Sequence, residues 1–410
     1  MKKDTYQVGN AKYINRINKI KILNLIREGK ANTRADAAKI SGLSAPTVTR
    51  LVDSLIHEEG LISENGSGSS SGGRRPTLLK FSGCDHFVIG IDLGTTHIYG
   101  VLSNLNAEII AEVKRPTYVG RGFLDIMKRT AEIINELKNN PHVIGKRIFG
   151  VGMAVAGLVN RKRNIVEFSP NFHWHDVNIK QTLGEYCDLP IIFDNVTRVM
   201  ALGELWYGIG NKFKNFICVN VGYGIGAGII INGKPLYGRF GMAGEFGHIT
   251  LEKDSKVLCH CGNYGCLEAL ASGHAIALAA QNGLKAGAKS ILLDMCDGDI
   301  SKVTAEMVAN AAKTGESFAW NIFRTAAEYL GLGIAELINL FNPEAIIIGG
   351  GVAQAGDILF DAVKKTVKAR AIDRLSKDVV IQPTTFGMKA AVMGAVSMIL
   401  DRVLNLRPIS

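Results

Sequence analysis

The chain has 410 residues, of which 47% are apolar, 20% charged and 7% aromatic, a composition that excludes a disordered or fibrous protein and suits two or three globular domains. Its net charge of +10 is uneven: residues 1–80 hold 14 basic and 7 acidic side chains, the rest 33 and 30, which points to a nucleic-acid partner for the N-terminal part alone. No run reaches the ~20 apolar residues of a bilayer span, and Met1-Lys2-Lys3-Asp4 leads into no apolar stretch, so a cytoplasmic protein with no signal peptide and no membrane partner is expected.

At the N-terminus, Ile14, Ile17, Ile22, Leu25 and Ile26 fall near helical spacing and predict a helix over 12–28 that stops at Gly29. Thr33 and Asp36 fit a capping box for a short helix ending at Gly42. Ser44 is placed to cap a third helix, in which Val48, Leu51, Val52 and Leu55 share an apolar face. This is a helix-turn-helix pattern. Its third helix would present Ser44, Ala45, Thr47, Thr49 and Arg50 to bases or phosphates in the major groove. The stretch ENGSGSSSGGRRP, residues 64–76, is too rich in Gly and Ser for a helix or a core strand. Leu61-Ile62 and Thr77–Phe81 on either side of it predict a hairpin wing. Arg74 and Arg75 at its tip suit a narrow A·T-rich minor groove. A small bundle with a solvated linker is the competing interpretation; the charge excess weighs against it.

From residue 86 onward strands and helices alternate, the mark of an α/β domain. Strands are expected at 87–92, 147–155, 190–194, 216–221, 226–231 and 345–348, and helices at 124–139, 197–207, 265–281, 318–340 and 356–371. The glycine-bearing segments Ile89–Thr96 and Asn220–Gly228 suggest equivalent elements of two related halves. Asp92-Leu93-Gly94-Thr95-Thr96 follows a strand and could cradle a phosphate, although many strand-ending turns look the same. His173 and His175 suit packing or a cleft loop better than a metal, and Arg161-Lys162-Arg163 suits a solvated turn.

The most specific signal lies between Gly241 and Glu268. His248, Cys259, Cys261 and Cys266 form a one-His, three-Cys set within 19 residues. Three thiolates and one imidazole make a closed tetrahedral zinc site with no position left for water, so structural zinc is expected. His260, between two ligands of a Cys-x-Cys turn, is the less suitable donor. The odd count of seven cysteines in a cytoplasmic setting argues against disulfides.

The winged module, DLGTT, GYGIGAG, GEFGH, CHCGNYGCLE and NPEAIIIGGG together resemble the ROK family (repressors, open reading frames and sugar kinases), in particular its repressors of sugar catabolism, among them xylose-, N-acetylglucosamine- and glucose-responsive members. The resemblance implies an α/β fold: a winged helix-turn-helix domain at 1–82, then a two-lobed actin-like or hexokinase-like ATPase fold at 83–410. Lobe I would take 83–201 and a C-terminal helix at 388–410, and lobe II 202–387. It further implies that Asn171, Asn195, Glu245, His248 and Glu268 contact a sugar or sugar phosphate, His248 doubling as a zinc ligand. For Asn171 and Asn195 alone, loop capping is the simpler reading.

Two departures from the family pattern bear on activity. Family kinases read Glu-Asn-Asp, the last Asp accepting the sugar hydroxyl proton; here the segment reads Asp194-Asn195-Val196, and Val196 accepts no proton. The phosphate loop that usually reads Gly-Thr-Gly is Gly222-Tyr223-Gly224. The expectation is therefore a catalytically inactive kinase homologue: a sugar-responsive transcriptional repressor, a dimer or tetramer on a pseudo-palindromic operator that is A·T-rich under the wing. The alternatives are a sugar kinase with a fused DNA-binding module, and a DNA-binding protein controlled by a protein partner.

Overall fold

The computed structural model describes residues 11–67 and 75–409. Arg74, at the expected wing tip, lies outside the described residues. The N-terminal module contains α1 (Ala11–Arg27), α2 (Arg34–Ser41), α3 (Ala45–His57) and the antiparallel pair β1 (Ile62–Ser67) and β2 (Thr77–Phe81). At the start of α2 the Thr33 hydroxyl accepts the Asp36 N–H at 3.1 Å and donates to the Asp36 carboxylate at 2.7 Å. Ser44 does not cap the backbone of α3 as expected; its hydroxyl pairs with that of Thr47 at 2.8 Å. The strand β1 also runs four residues into the segment that composition marks as loop. Pairing with a regular partner strand outweighs weak intrinsic propensity, at the cost of an irregular register between Glu64 and Ser67.

The body then builds two five-stranded sheets of one pattern. The first contains β3 (His86–Leu93), β4 (His97–Asn104), β5 (Ile109–Pro116), then α4 (Gly122–Lys138) and β6 (Arg147–Val155). A small sheet follows, β7 (Leu158–Asn160), β8 (Ile165–Ser169) and β9 (Trp174–Val177), and after α5 (Ile179–Gly184) comes β10 (Ile191–Asn195). The order is β10-β6-β3-β4-β5, with the first three parallel and the rest antiparallel. Beyond α6 (Val196–Tyr207) come β11 (Phe216–Val221), β12 (Ile225–Ile231) and β13 (Lys234–Pro235). Helices α7 (Leu267–Ala271), α8 (Gly273–Lys285), α9 (Leu292–Met295), α10 (Ala305–Lys313) and α11 (Ser317–Phe341) lead to β14 (Ala345–Gly349). The chain ends with α12 (Asp357–Arg370), α13 (Asp373–Ser376), β15 (Val380–Pro383) and α14 (Ala390–Leu404). Read as β15-β14-β11-β12-β13, the second sheet repeats the strand directions of the first. The two glycine-bearing segments thus occupy equivalent central hairpins.

Three expectations shift. The helix expected over 265–281 is two, because Ser272 leaves helical geometry (ψ 166°) and its hydroxyl caps the second by accepting the Ala275 N–H. The expected lobe boundary at 201/202 falls inside the continuous helix α6. Arg161 does not sit in a merely solvated turn: its guanidinium stacks on the Tyr237 ring at 3.9 Å and lies 3.7 Å from Asp194 Oδ2, joining β7 to the loop after β13. Among the described residues no helix is long and apolar enough to cross a membrane.

Helix α14 is the keystone. Almost every residue of it is buried. A Cβ at Gly152 of β6 would meet the Ala395 carbonyl at 2.0 Å, and one at Gly394 would meet the Val199 carbonyl of α6 at 2.1 Å. Backbone packs on backbone at both places. Helix α14 also shares one buried core with the N-terminal module: Val396, Ile399, Leu400 and Val403 belong to it together with Ile22, Leu23 and Ile26 of α1 and Leu51 and Leu55 of α3.

A Gly394→Ala substitution gains about 1 kcal/mol of helix propensity but must push two backbones apart, an overpacking cost of about 1–3 kcal/mol. We expect net destabilisation in urea unfolding, whereas Gly184→Ala, with open space around it, should be neutral or mildly stabilising.

Candidate functional site

A cleft of about 420 Å³ lies between the two sheets and is reached by α6 and α14. Its wall takes residues from both central hairpins, Asp92 to Thr95 on one side and Gly222 to Gly226 on the other. All five residues expected to read a sugar, Asn171, Asn195, Glu245, His248 and Glu268, line it.

Each is positioned by local chemistry. Asn171 sits in the turn that joins β8 to β9. Asn195 is the N-cap of α6: its Oδ1 accepts the Thr197 N–H at 2.9 Å and the Thr197 hydroxyl at 2.6 Å, and its Nδ2 donates to Gly157 O at 2.9 Å. The capping reading therefore holds for Asn195, which keeps little capacity for a ligand. Glu268 opens α7, is 9% exposed, and accepts the Ile225 N–H at 2.8 Å. A Cβ at Gly224 would stand 2.3 Å from its Oε2, so only glycine admits this carboxylate beside the loop. Glu245 precedes the short turn that carries His248. Burial lifts its carboxyl to about 7, with Glu268 adding to the rise and Arg198 opposing it.

Asp194 points away from the cleft. Its Oδ1 accepts from Arg198 Nη2 at 2.6 Å and from Nε at 2.9 Å, and both side chains are almost wholly buried. Val196 is on the cleft wall, where the family base would stand. Asp92 also lines the cleft, and burial raises it to about 7 against the opposing charge of Lys114.

The cysteine segment folds against the same wall. His248 Nδ1 and the three Sγ atoms of Cys259, Cys261 and Cys266 all lie within 4.8 Å of one another, a set that can hold a metal ion. The His248–Cys259 separation is 3.6 Å and the Cys261–Cys266 separation 3.7 Å. His260 turns outward from this set, its ring 5.0 Å from His274 and 6.4 Å from Tyr223. His173 and His175 are exposed and gather no ligand set. Cys84, Cys187, Cys218 and Cys296 are free thiols.

In the N-terminal module, Ser44, Ala45, Thr49 and Arg50 are exposed on one end of α3, Thr47 is half-buried, and Arg75 is exposed. Sequence reasoning missed several residues of the site. Arg198 was detectable by its i,i+4 spacing from Asp194; Asn263 and Met388, both on the cleft wall, carried no local signal.

The model of the ROK family matches residues 88–402. The chain is 32% identical to a xylose repressor of Caldicellulosiruptor bescii over 97% of its length and 99% of that protein. Among solved structures it is similar to a ROK family transcriptional regulator, a homologue of the E. coli MLC protein, at TM-score 0.81 and 28% identity, covering 96% of this chain and 97% of that one. It is also similar to a ROK family glucokinase from Streptomyces griseus in complex with glucose and AMPPNP, at TM-score 0.69 and 31% identity, covering 98% of that chain but 76% of this one. Two matching sheets around one cleft, the one-His, three-Cys set beside it, and these likenesses agree: the chain belongs to the ROK family.

Proposed function

We propose that the protein is a sugar-responsive transcriptional repressor, which binds operator DNA through its N-terminal module and releases it when a sugar enters the cleft. The observation that carries this reading is the likeness to a xylose repressor along the full chain, N-terminal module included. The chemistry of the cleft supports it. Asn171, Glu245, His248 and Glu268 offer directional partners for sugar hydroxyls. The position of the family's base offers none, because Val196 accepts no proton, and the neighbouring Asp194 is held by Arg198. We read the protein as a cytoplasmic regulator without kinase activity, organised as a winged helix-turn-helix domain at 1–82 and a two-lobed domain at 83–410.

DNA recognition falls to α3, with Ser44, Ala45, Thr47, Thr49 and Arg50 in the major groove and Arg74 and Arg75 at the minor groove. A two-fold homo-oligomer would match a pseudo-palindromic operator. The signal has a short physical path. Helix α6 starts at the Asn195 cap in the cleft and ends with Trp206 and Tyr207 packed on the module's core. Helix α14 likewise starts with Ala390 and Ala391 in the cleft and ends in that core. A sugar that favours one lobe arrangement shifts both helices and thereby the module.

The metal set suits zinc. Separations of 3.6 and 3.7 Å match the ligand–ligand edges of a tetrahedron about 2.3 Å in radius. Bound zinc would supply structural cross-linking: it would hold the His248 ring by one nitrogen, leave the other for the sugar, and anchor the loop beside Glu268.

Fluorescence anisotropy on DNA from upstream of the protein's own gene tests the function. Tight binding released by one sugar without ATP is expected, and Arg50→Ala should weaken DNA binding by about 1–3 kcal/mol. Sugar-dependent ATP turnover by the wild-type protein would establish a kinase instead. Metal analysis should find one zinc per chain. Cys261→Ser should lower that content and the sugar response, with the module's own DNA binding largely retained.

A further inference from the structure

Residues 237–245, which lead from β13 to the turn that carries His248, are fastened to the first sheet by two arginines that share one carboxylate. We propose that Asp194, Arg161 and Arg198 are positioning residues: they form a latch that seats this segment on the start of α6 and carries the effector's grip on Glu245 and His248 to α6, and so to the N-terminal module. This inference rests on the reading of the cleft as a sugar site.

The hub is Asp194, in β10. Its Oδ1 accepts from Arg198 Nη2 at 2.6 Å and Nε at 2.9 Å, and its Oδ2 faces Arg161 Nε at 3.7 Å. The Asp194 side chain is 3% exposed and that of Arg198 2%, whereas that of Arg161 is 37% exposed. A charge pair so far out of water holds only with its partners in place. Asp194 and Arg198 are thus the fixed part of the latch. Arg161, longer in reach and open to solvent, is the part that can let go.

Both arginines cross to the same segment and grip it near its two ends. Arg161, from the turn between β7 and β8, lays its guanidinium 3.9 Å from the centroid of the Tyr237 ring. Arg198, in the first turn of α6, donates Nη1 to the Ala243 carbonyl at 3.1 Å. The Ala243 N–H returns to Tyr237 O at 3.1 Å and closes the segment into a loop. Gly241, at φ +87°, passes over Arg161, where a Cβ would stand 3.0 Å from Arg161 Cγ. Next to Glu245, Gly244 O accepts the Ala227 N–H at 2.9 Å and ties the loop to β12. A ligand that draws on Glu245 or His248 therefore strains a loop whose attachments to the first sheet include Arg161 and Arg198.

One of those attachments belongs to the helix that reaches the module. Arg198 lies in α6, whose last residues, Trp206 and Tyr207, pack on the module's core. Of the basic run at 161–163, Arg161 alone is engaged in this way. Lys162 lies 5.9 Å from the Phe240 ring, and Arg163 pairs with Glu167 and Asp176. Stacking on an aromatic face while facing a carboxylate suits a planar guanidinium, and a lysine ammonium reproduces it poorly.

The test uses the full-length protein on its operator DNA. The probe is whichever sugar of a panel of neutral aldopentoses and aldohexoses releases DNA from the wild type. The quantity read by fluorescence anisotropy is the ratio of DNA dissociation constants with and without saturating sugar, with calorimetry setting saturation for each variant. Arg161→Ala is expected to cut that ratio about tenfold while DNA affinity without sugar stays as in the wild type. Arg161→Lys should not restore it. Tyr237→Leu should match Arg161→Ala, whereas Tyr237→Phe, which keeps the ring, should keep the wild-type ratio. The double variant Arg161→Ala/Tyr237→Leu should lose no more than either single one, because the two form one contact. Asp194→Asn should lower the ratio as well; the exposed position of Arg161 keeps the test open if that buried variant does not fold. Undiminished release from Arg161→Ala, or equal losses in the Leu and Phe variants of Tyr237, overturns the inference and leaves the sugar reading intact. A wild-type complex that no sugar of the panel disturbs overturns the sugar reading, and the inference with it.

Discussion

Everything in this molecule leans on one buried helix. Helix α14 lies with its backbone against β6 at Gly152 and against α6 at Gly394, so close that no side chain fits between. Its first residues face the cleft, and its last turns belong to the core of the N-terminal module. A helix of 15 residues spans about 22 Å, which is the distance over which cleft and module must communicate. Packed cores respond to strain by switching between discrete arrangements, not by flexing gradually. A rigid rod held at both ends is therefore suited to carry a small change in the cleft to the DNA-reading surface.

The second sheet repeats the first strand for strand, and the cleft lies where the two meet. In such a fold, phosphoryl transfer needs a base and a phosphate cradle. In the reading proposed above, this chain has neither in working order. Val196 takes the place of the base, the neighbouring Asp194 is neutralised by Arg198 at 2.6 Å, and the second cradle carries Tyr223, with the Gly222 and Ile225 N–H groups already engaged. What that reading retains is the side proposed to read the sugar: Glu245, His248 and Glu268, beside the cysteine set. On that reading the scaffold keeps its binding half without its reacting half, which is the balance a ligand-controlled switch requires.

Much of this was legible in the sequence, and the exceptions have physical causes. Strands such as Arg147–Val155 and Phe216–Val221 were located to the residue because they are continuous apolar runs bounded by polar turns. The His248, Cys259, Cys261 and Cys266 set was legible because candidate metal ligands are few in the sequence and these four are closely spaced. β4 and the edge strand β5 went unassigned; β5 is partly exposed and carries Glu112, Lys114 and Arg115. The break at Ser272 was hidden because an apolar periodicity continues through it, and β1 was shortened because Asn, Gly and Ser have poor strand propensity when read alone. The Arg161–Tyr237 contact joins residues 76 positions apart, and no local pattern signals it.

The account stands or falls on whether the cleft and the module are coupled through α6 and α14. Hydrogen exchange measured by mass spectrometry on the DNA-free protein, with and without the sugar that releases DNA, addresses this directly. The account predicts that the sugar changes protection in the cleft loops, along α6 and α14, and in α1 and α3. Changes confined to the cleft, with α14 and the module unaffected, would contradict it.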